Sequence, residues 1–159
     1  VVAACFIFGR LIGAGLDQML DLGAASVPVG LGLGRLANFI NGELYGRASD
    51  VPWAMVFPGD PLRAPRHPSQ LYEALLEGLV LFLAVRFLTH RHKALSFAGR
   101  ASGVFALVYG LSRIAVEFFR EPDAHLGFVA SSLSMGMILS LPLVAVGIWL
   151  LSRSRRDTA

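Results

Sequence analysis

Arg35, Asn38, Asn41 and Glu43 fall together in GLGLGRLANFINGELYGR, and Tyr109, Arg113 and Glu117 fall together in YGLSRIAVEFFRE. Both stretches are otherwise apolar. An ionisable side chain in a membrane-spanning segment costs about 2.5–3.5 kcal/mol on insertion scales and marks a functional site by default. Tyr109, Arg113 and Glu117 recur at every fourth position, so they share one helix face, and Glu73 and Glu77 have the same spacing. A guanidinium is planar, stays charged at any relevant pH and meets phosphate oxygens through two parallel hydrogen bonds. Arg35 and Arg113 facing a cavity at membrane depth therefore suit a phospholipid head group. Asn38 and Asn41 can donate to glycerol or ester oxygens, and a carboxylate can orient an arginine or accept a proton. If the lipid phosphate leaves, the same guanidiniums stabilise the charge developing on it. The pattern indicates a lipid-phosphate site, for binding or for catalysis.

Blander readings stand beside this one. Arg113 with Glu117 could be a structural ion pair, and Arg35 and Glu43 could snorkel toward an interface. Glu77 is read as the partner of a neighbouring arginine. His67, ahead of Pro68, reads as a loop or helix-capping residue, His90 and His92 as solvated, and Cys5 as packing. The glycines Gly30, Gly32 and Gly34 contain part of a dinucleotide fingerprint, but no strand precedes them and the flanks are membrane-like. Small residues that admit a close helix neighbour or a lipid explain them better. No His or acid cluster has metal-ligand spacing, so neither a metal nor a cofactor is expected.

The elements that must hold these residues are helices in a bilayer. The chain has 159 residues, 55% hydrophobic and 16% charged, where a soluble domain has about 45–50% and about 25%. One cysteine excludes a disulfide scaffold. The run Ala124–Ser152 holds no Asp, Glu, Lys or Arg and reads as a spanning helix despite Pro142. Leu22–Gly42, Ser69–Leu88 and Ser102–Phe119 read as three more, interrupted by the charges above. The opening VVAACFIFG is too short to span and resembles the end of an earlier helix, so the chain reads as the C-terminal part of a longer protein. Residues 1–159 form a portion of one domain, an all-α polytopic membrane bundle of about four full spans.

Orientation follows the short basic loops. Arg86, Arg91, Lys93 and Arg100 cluster at the junction of the Ser69–Leu88 and Ser102–Phe119 spans, and Arg153, Arg155 and Arg156 follow the last. Both clusters can face the cytoplasm, which puts the C-terminus there. The segment Glu43–His67, with Pro52, Pro58, Pro61 and Pro65, then forms an irregular outer arm with short strands or an interfacial helix. The net charge of +3 is thus a topology signal, and nucleic acid is not an expected partner.

GLGRLANFINGELYGR resembles the signature of the prolipoprotein diacylglyceryl transferases, integral enzymes of the bacterial inner membrane. The matched positions are Gly34, Arg35, Asn38, Phe39, Asn41, Glu43 and Gly46. RHPSQLYEALLEG at Arg66–Gly78 and YGLSRIAVEFFREPD at Tyr109–Asp123 resemble two further blocks in the same order. The resemblance implies transfer of a diacylglyceryl group from phosphatidylglycerol to the lipobox cysteine of a preprolipoprotein. A thioether forms and glycerol 1-phosphate is released. It makes Arg35 a phosphate-binding residue and Arg113 the second essential arginine, with Glu43 and Glu117 as further catalytic candidates. Asn38, Asn41, Gly46 and Tyr109 fall on its substrate positions. His67 and Tyr72 fall in its second block, where a structural role is weighed ahead of a binding one. The family's His-Gly-Gly motif and first helices are expected upstream of Val1, and the proton acceptor is left between that histidine, Glu43 and Glu117. Met137 stands where many relatives have Gln, and the arm is short between Gly59 and Arg66. A non-catalytic lipid-binding or transporter-like bundle, or an inactive piece of the transferase, are the rival readings.

Overall fold

The computed structural model describes residues 2–91, 97–121, 128–130 and 133–156. Helix α1 (Val2–Ile12) stops at Gly13, whose φ of +72° a helix cannot continue, and the chain bends by 120° into α2 (Leu16–Asn41). Helix α2 ends at Gly42, also left-handed, whose N–H donates to the Phe39 carbonyl. The arm follows, with strands β1 (Met55–Val56) and β2 (Pro65–Arg66) paired antiparallel. A continuous helical run then contains α3 (Ser69–Glu73), a π segment (Ala74–Val80) and α4 (Leu81–Arg91). Helix α5 spans Arg100–Glu117 and α6 spans Met135–Arg156. His92 and Lys93 lie outside the described residues, as do residues 122–127.

The expected spans appear as helices at Leu16–Asn41, Ser69–Arg91 and Arg100–Glu117. The last apolar run differs. Its described part opens with strands rather than a helix: Phe128–Ala130 (β3) and Leu133–Ser134 (β4) pair antiparallel, and the helix starts at Met135. Ser134 explains the start, because its Oγ accepts the Met137 N–H at 3.3 Å, as a helix N-cap does. Among the described residues, Met135–Arg153 is the single helix long and apolar enough to cross a membrane unaided, and α1 with α2 passes only as a bent pair. The other helices carry charges within their length: Glu73, Glu77 and Arg86 in one, Arg113 and Glu117 in the other.

Except for the exposed Arg86, those charges are inside or half-buried. Asp21, Gln70, Glu73 and Glu77 are among the largest fully buried side chains, whereas Leu33, Ile40, Leu79, Phe87, Leu139 and Trp149 are exposed. A soluble domain has the opposite polarity. The interior is also unusually close-packed backbone to backbone. A Cβ on Gly78 would lie 2.6 Å from the Gly32 Cα, where the π segment crosses α2. A Cβ on Gly147 would lie 2.6 Å from the Leu107 nitrogen, where α6 crosses α5. Small residues at such crossings replace the hydrophobic drive that helices in lipid lack. At the other end of α2, Asp21 caps α5 from outside. Its carboxylate accepts the Gly99 and Ser102 N–H groups at 2.8 and 2.7 Å and the Ser102 hydroxyl at 2.6 Å. Ala24, Leu81, Val85, Ala101 and Val104 close the apolar core beside it.

Candidate lipid-phosphate site

Arg35 on α2, Glu73 and Glu77 on the neighbouring run, and Arg113 and Glu117 on α5 converge on one cluster. The Glu73 carboxylate lies 3.1 Å from Arg35 Nε and 2.8 Å from Arg113 Nη1, so it bridges the arginines. Glu77 lies 3.4 Å from Arg35 and 3.7 Å from Arg113. Glu117 pairs with Arg113 at 3.4 Å along its own helix, and Arg120 reaches Glu73 at 3.9 Å. The π segment starts directly after Glu73, and the extra residue in its turn is a feature that recurs at functional sites. Glu117 also packs on α6: a Cβ on Gly136 would come within 2.7 Å of its Oε2.

The cluster has a front and a back. The side chains of Arg35 and Arg113 are 19% and 14% exposed, and those of Glu73 and Glu77 are 2% and 0% exposed. The acids hold the guanidiniums from behind while part of each guanidinium-bearing side chain stays accessible. Several buried acceptors lack hydrogen-bond donors among the described residues: Gln70 Oε1, Glu73 Oε2, Glu77 Oε1 and Glu117 Oε2. An apolar groove of about 230 Å³ runs along the crossing of α2 and the π segment, lined by Pro28, Gly32, Leu33, Leu36, Gly78 and Leu79 among others. Tyr109, one turn before Arg113, is half-buried, stacks on Phe105 at 5.7 Å and sits within electrostatic reach of Glu77, Glu73, Arg35 and Arg113.

Three sequence blocks are joined by backbone at the mouth of this cluster. The Gly46 N–H donates to the His67 carbonyl at 2.9 Å, the His67 N–H to the Arg47 carbonyl at 3.0 Å, and the Arg47 N–H to the Phe119 carbonyl at 2.9 Å. Gly46 is squeezed between them, which gives this position a packing reason. Its Cβ would lie 2.4 Å from the Phe119 oxygen and 2.8 Å from the His67 oxygen. His67 and Tyr72 pack with Phe119 as edge-to-face rings. Tyr72 OH accepts the Trp53 indole N–H at 2.6 Å and stands 3.1 Å from His67 Nδ1. Asn41 and Glu43 are exposed at the end of α2, where the Asn41 amide donates to Glu43 at 3.4 Å. The Glu43 carbonyl accepts the buried Gln70 amide at 2.6 Å. Asn38 is half-buried, and its carbonyl accepts the Glu43 N–H at 3.1 Å.

Sequence reasoning grouped Arg35, Arg113 and Glu117 correctly in space and paired Glu77 with neighbouring arginines. It missed the bridging place of Glu73, and the places of Arg120 and Arg66. The Glu73–Glu77 spacing put both acids on one helix face, but that this face meets Arg35 and Arg113 is set by the crossing of α2 and α5.

Arg66 ties the arm to the signature turn. Its Nε and Nη2 donate to Asp60 at 2.7 and 3.0 Å, its Nη1 to Glu121 at 2.7 Å and to the Gly46 carbonyl at 3.4 Å, and its plane lies over Tyr45. Asp60 also accepts the Leu62 and Ala64 N–H groups at 3.2 Å each. The hydrogen bond from Arg66 holds the Asp60 carboxyl below the usual carboxylate range, aided by those amides and opposed by burial. A depressed carboxylate stabilises the folded arm above its unfolded value of about 3.9, and that stabilisation is lost as pH falls through the lower folded value. Hydrogen exchange at the Leu62 and Ala64 amides should therefore stay slow at pH 4 and quicken only below it. Protection lost between pH 5 and pH 4 would contradict this.

The chain matches the model of the family described as prolipoprotein diacylglyceryl transferase over residues 1–153. It is similar to proteins named phosphatidylglycerol–prolipoprotein diacylglyceryl transferase from several bacteria. With that of Azospirillum brasilense it is 57% identical over 140 residues, covering 87% of this chain and 52% of that protein. With that of Sinorhizobium medicae it is 52% identical over 158 residues, covering 98% of this chain and 56% of that protein. With that of Brucella ovis it is 54% identical over the same length and shares. The chain thus spans about half the length of the curated relatives it matches.

Proposed function

The chain belongs to the prolipoprotein diacylglyceryl transferase family, and from that premise we propose that the full-length protein moves a diacylglyceryl group from phosphatidylglycerol to a lipobox cysteine. In this reading the lipid enters sideways from the bilayer, one acyl chain in the groove between α2 and the π segment. Its phosphate meets the accessible edges of Arg35 and Arg113. The cysteine thiol gives up its proton to a base, for which the upstream histidine, Glu43 and Glu117 are the candidates, and the thiolate attacks the glycerol carbon that bears the phosphate ester. A sulfur–carbon bond forms, the carbon–oxygen bond breaks, and the electron pair leaves on glycerol 1-phosphate. Guanidiniums fixed in advance stabilise that charge without reorganising. Tyr109 lines the same face, and Glu117 holds Arg113 in place.

The observation that carries this reading is the two-sided cluster, with carboxylates behind and guanidinium side chains in front. A purely structural ion-pair network would have no need to keep its cations partly open. The mapping of Asn38, Asn41, Glu43, Gly46, His67 and Tyr72 to substrate contact follows family position. We place the chain as the C-terminal portion of one membrane domain, spanning the bacterial inner membrane several times, with its C-terminus in the cytoplasm. Four helices that enclose charge and expose leucine support that placement.

Phosphatidylglycerol labelled in its acyl chains, incubated with the full-length protein and a lipobox peptide, tests the activity. Label is expected on the cysteine sulfur, with glycerol 1-phosphate released in equal amount. Label that stays extractable as lipid would instead favour a lipid-binding module.

A further inference from the structure

The furrow between α2 and the long helical run continues past the apolar groove described above. Phe82 lines that groove and also lines a second hollow of about 200 Å³, whose other walls are Ala25, Val85, Arg86, Thr89 and His90. The hollow is apolar beside Phe82 and basic toward the end of α4. Arg86 and His90 follow Glu77 on the same helical run, about 14 and 20 Å further along its axis, so this end is well removed from the carboxylate–guanidinium cluster.

Arg86 also differs from the arginines of the cluster and the arm. Arg35, Arg66 and Arg113 each pair with carboxylates within 4 Å, whereas among the described residues Arg86 has no such ion pair and its Nη1 stands 3.2 Å from His90 Nε2. A guanidinium has no acceptor, so Arg86 donates and the imidazole proton sits on Nδ1. The Thr89 hydroxyl donates to the Arg86 carbonyl at 2.9 Å, which leaves Arg86 and His90 as the donors of the hollow. Both are exposed. Asp21, one turn before Ala25 on α2, is buried and turned to α5, where its oxygens accept from Gly99 and Ser102.

We propose that this hollow seats an anionic phospholipid of the leaflet at the α4 end, separate from the lipid whose phosphate meets Arg35 and Arg113. Its phosphate lies on the planar fork of Arg86, which matches two phosphate oxygens at once, with His90 as a second donor. Its acyl chain runs inward over Ala25 and Val85 toward Phe82. A soluble phosphate would leave the apolar wall unused, and a zwitterionic head group would bring its own ammonium beside the guanidinium. The topology given above makes this the cytoplasmic leaflet. The site does not depend on the transfer reaction.

A lipid held by exposed side chains exchanges with the bilayer, so the test uses the full-length protein in phosphatidylcholine vesicles with photoreactive lipids at trace level. Phosphatidylglycerol with the reactive group in its head should label the Arg86–Arg91 stretch about fivefold more than matched phosphatidylcholine does, the worth of one basic residue near an anionic lipid. Phosphatidylglycerol with the group in an acyl chain should label Ala25 and Phe82. Arg86→Gln should abolish the preference, and Arg86→Lys should restore it in part, because the charge returns without the fork. Arg86 is exposed, so neither variant puts the fold at stake. Equal labelling by the two lipids in the wild-type protein, or a preference that survives Arg86→Gln, would overturn the proposal. So would acyl labelling as dense on the exposed Leu83 as on Ala25 and Phe82, the mark of ordinary bilayer contact.

Discussion

Replacing Arg113 by alanine should lower thioether formation by about 10²–10³-fold, the usual effect of removing one preorganised charge donor from a developing anion. It should also destabilise the bundle. Arg113 touches Glu73 at 2.8 Å, Glu117 at 3.4 Å and Glu77 at 3.7 Å, and all three acids are buried. Removing one partner of a buried pair leaves an uncompensated charge and costs about 3–5 kcal/mol. Arg113→Lys keeps the charge but cannot serve three carboxylates through a planar fork, so it should restore stability better than activity. Thermal unfolding and turnover measured on both variants check the two effects separately. Turnover near normal in the alanine variant would reduce Arg113 to a structural ion-pair partner.

Gly46→Ala should have a comparable effect on activity by another route. The added methyl meets two carbonyl oxygens and the His67 Cβ, at 2.4, 2.8 and 2.9 Å. None of these is the free end of a flexible chain, so the backbone must part. Overpacking of this kind costs about 1–3 kcal/mol. Parting there moves Phe119 and Arg120, which follow Glu117 at the end of α5, and a shift of about 1 Å at a site can cost on the order of 10²-fold in rate. The variant should still bind lipid through Arg35, which lies a helix end away. Full activity in the alanine variant would show that the 46–47, 66–67 and 119–120 segments need not meet.

Much of the fold was legible because charge in an apolar run is conspicuous. Leu16–Asn41, Ser69–Arg91 and Arg100–Glu117 fall where the apolar runs and their interruptions put them. The stretch from Phe128 to Ser134 misled because hydropathy does not distinguish a strand pair from a helix, and the Ser134 cap that starts α6 is a local hydrogen bond, invisible to a long window. In the site, Arg35 and Arg113 stood out as costly residues. Glu73 did not, because its place depends on α2 and α5 both crossing its helix, which no spacing within one segment encodes. Gly46 is expected as a substrate position from the resemblance, and its packing role is not visible in the spacing. Its close neighbours come from residues 67 and 119, brought in by long-range backbone pairing.

The central claim is that Arg35 and Arg113 present their accessible edges to one lipid phosphate. Its most direct test is the retention of phosphatidylglycerol by the full-length protein, counted by native mass spectrometry, with both arginines replaced by glutamine. Both substitutions remove charge while keeping a hydrogen-bonding side chain toward the acids. The account predicts that retained lipid and label transfer to the lipobox cysteine are lost together. Undiminished retention and transfer in a folded double variant would contradict it.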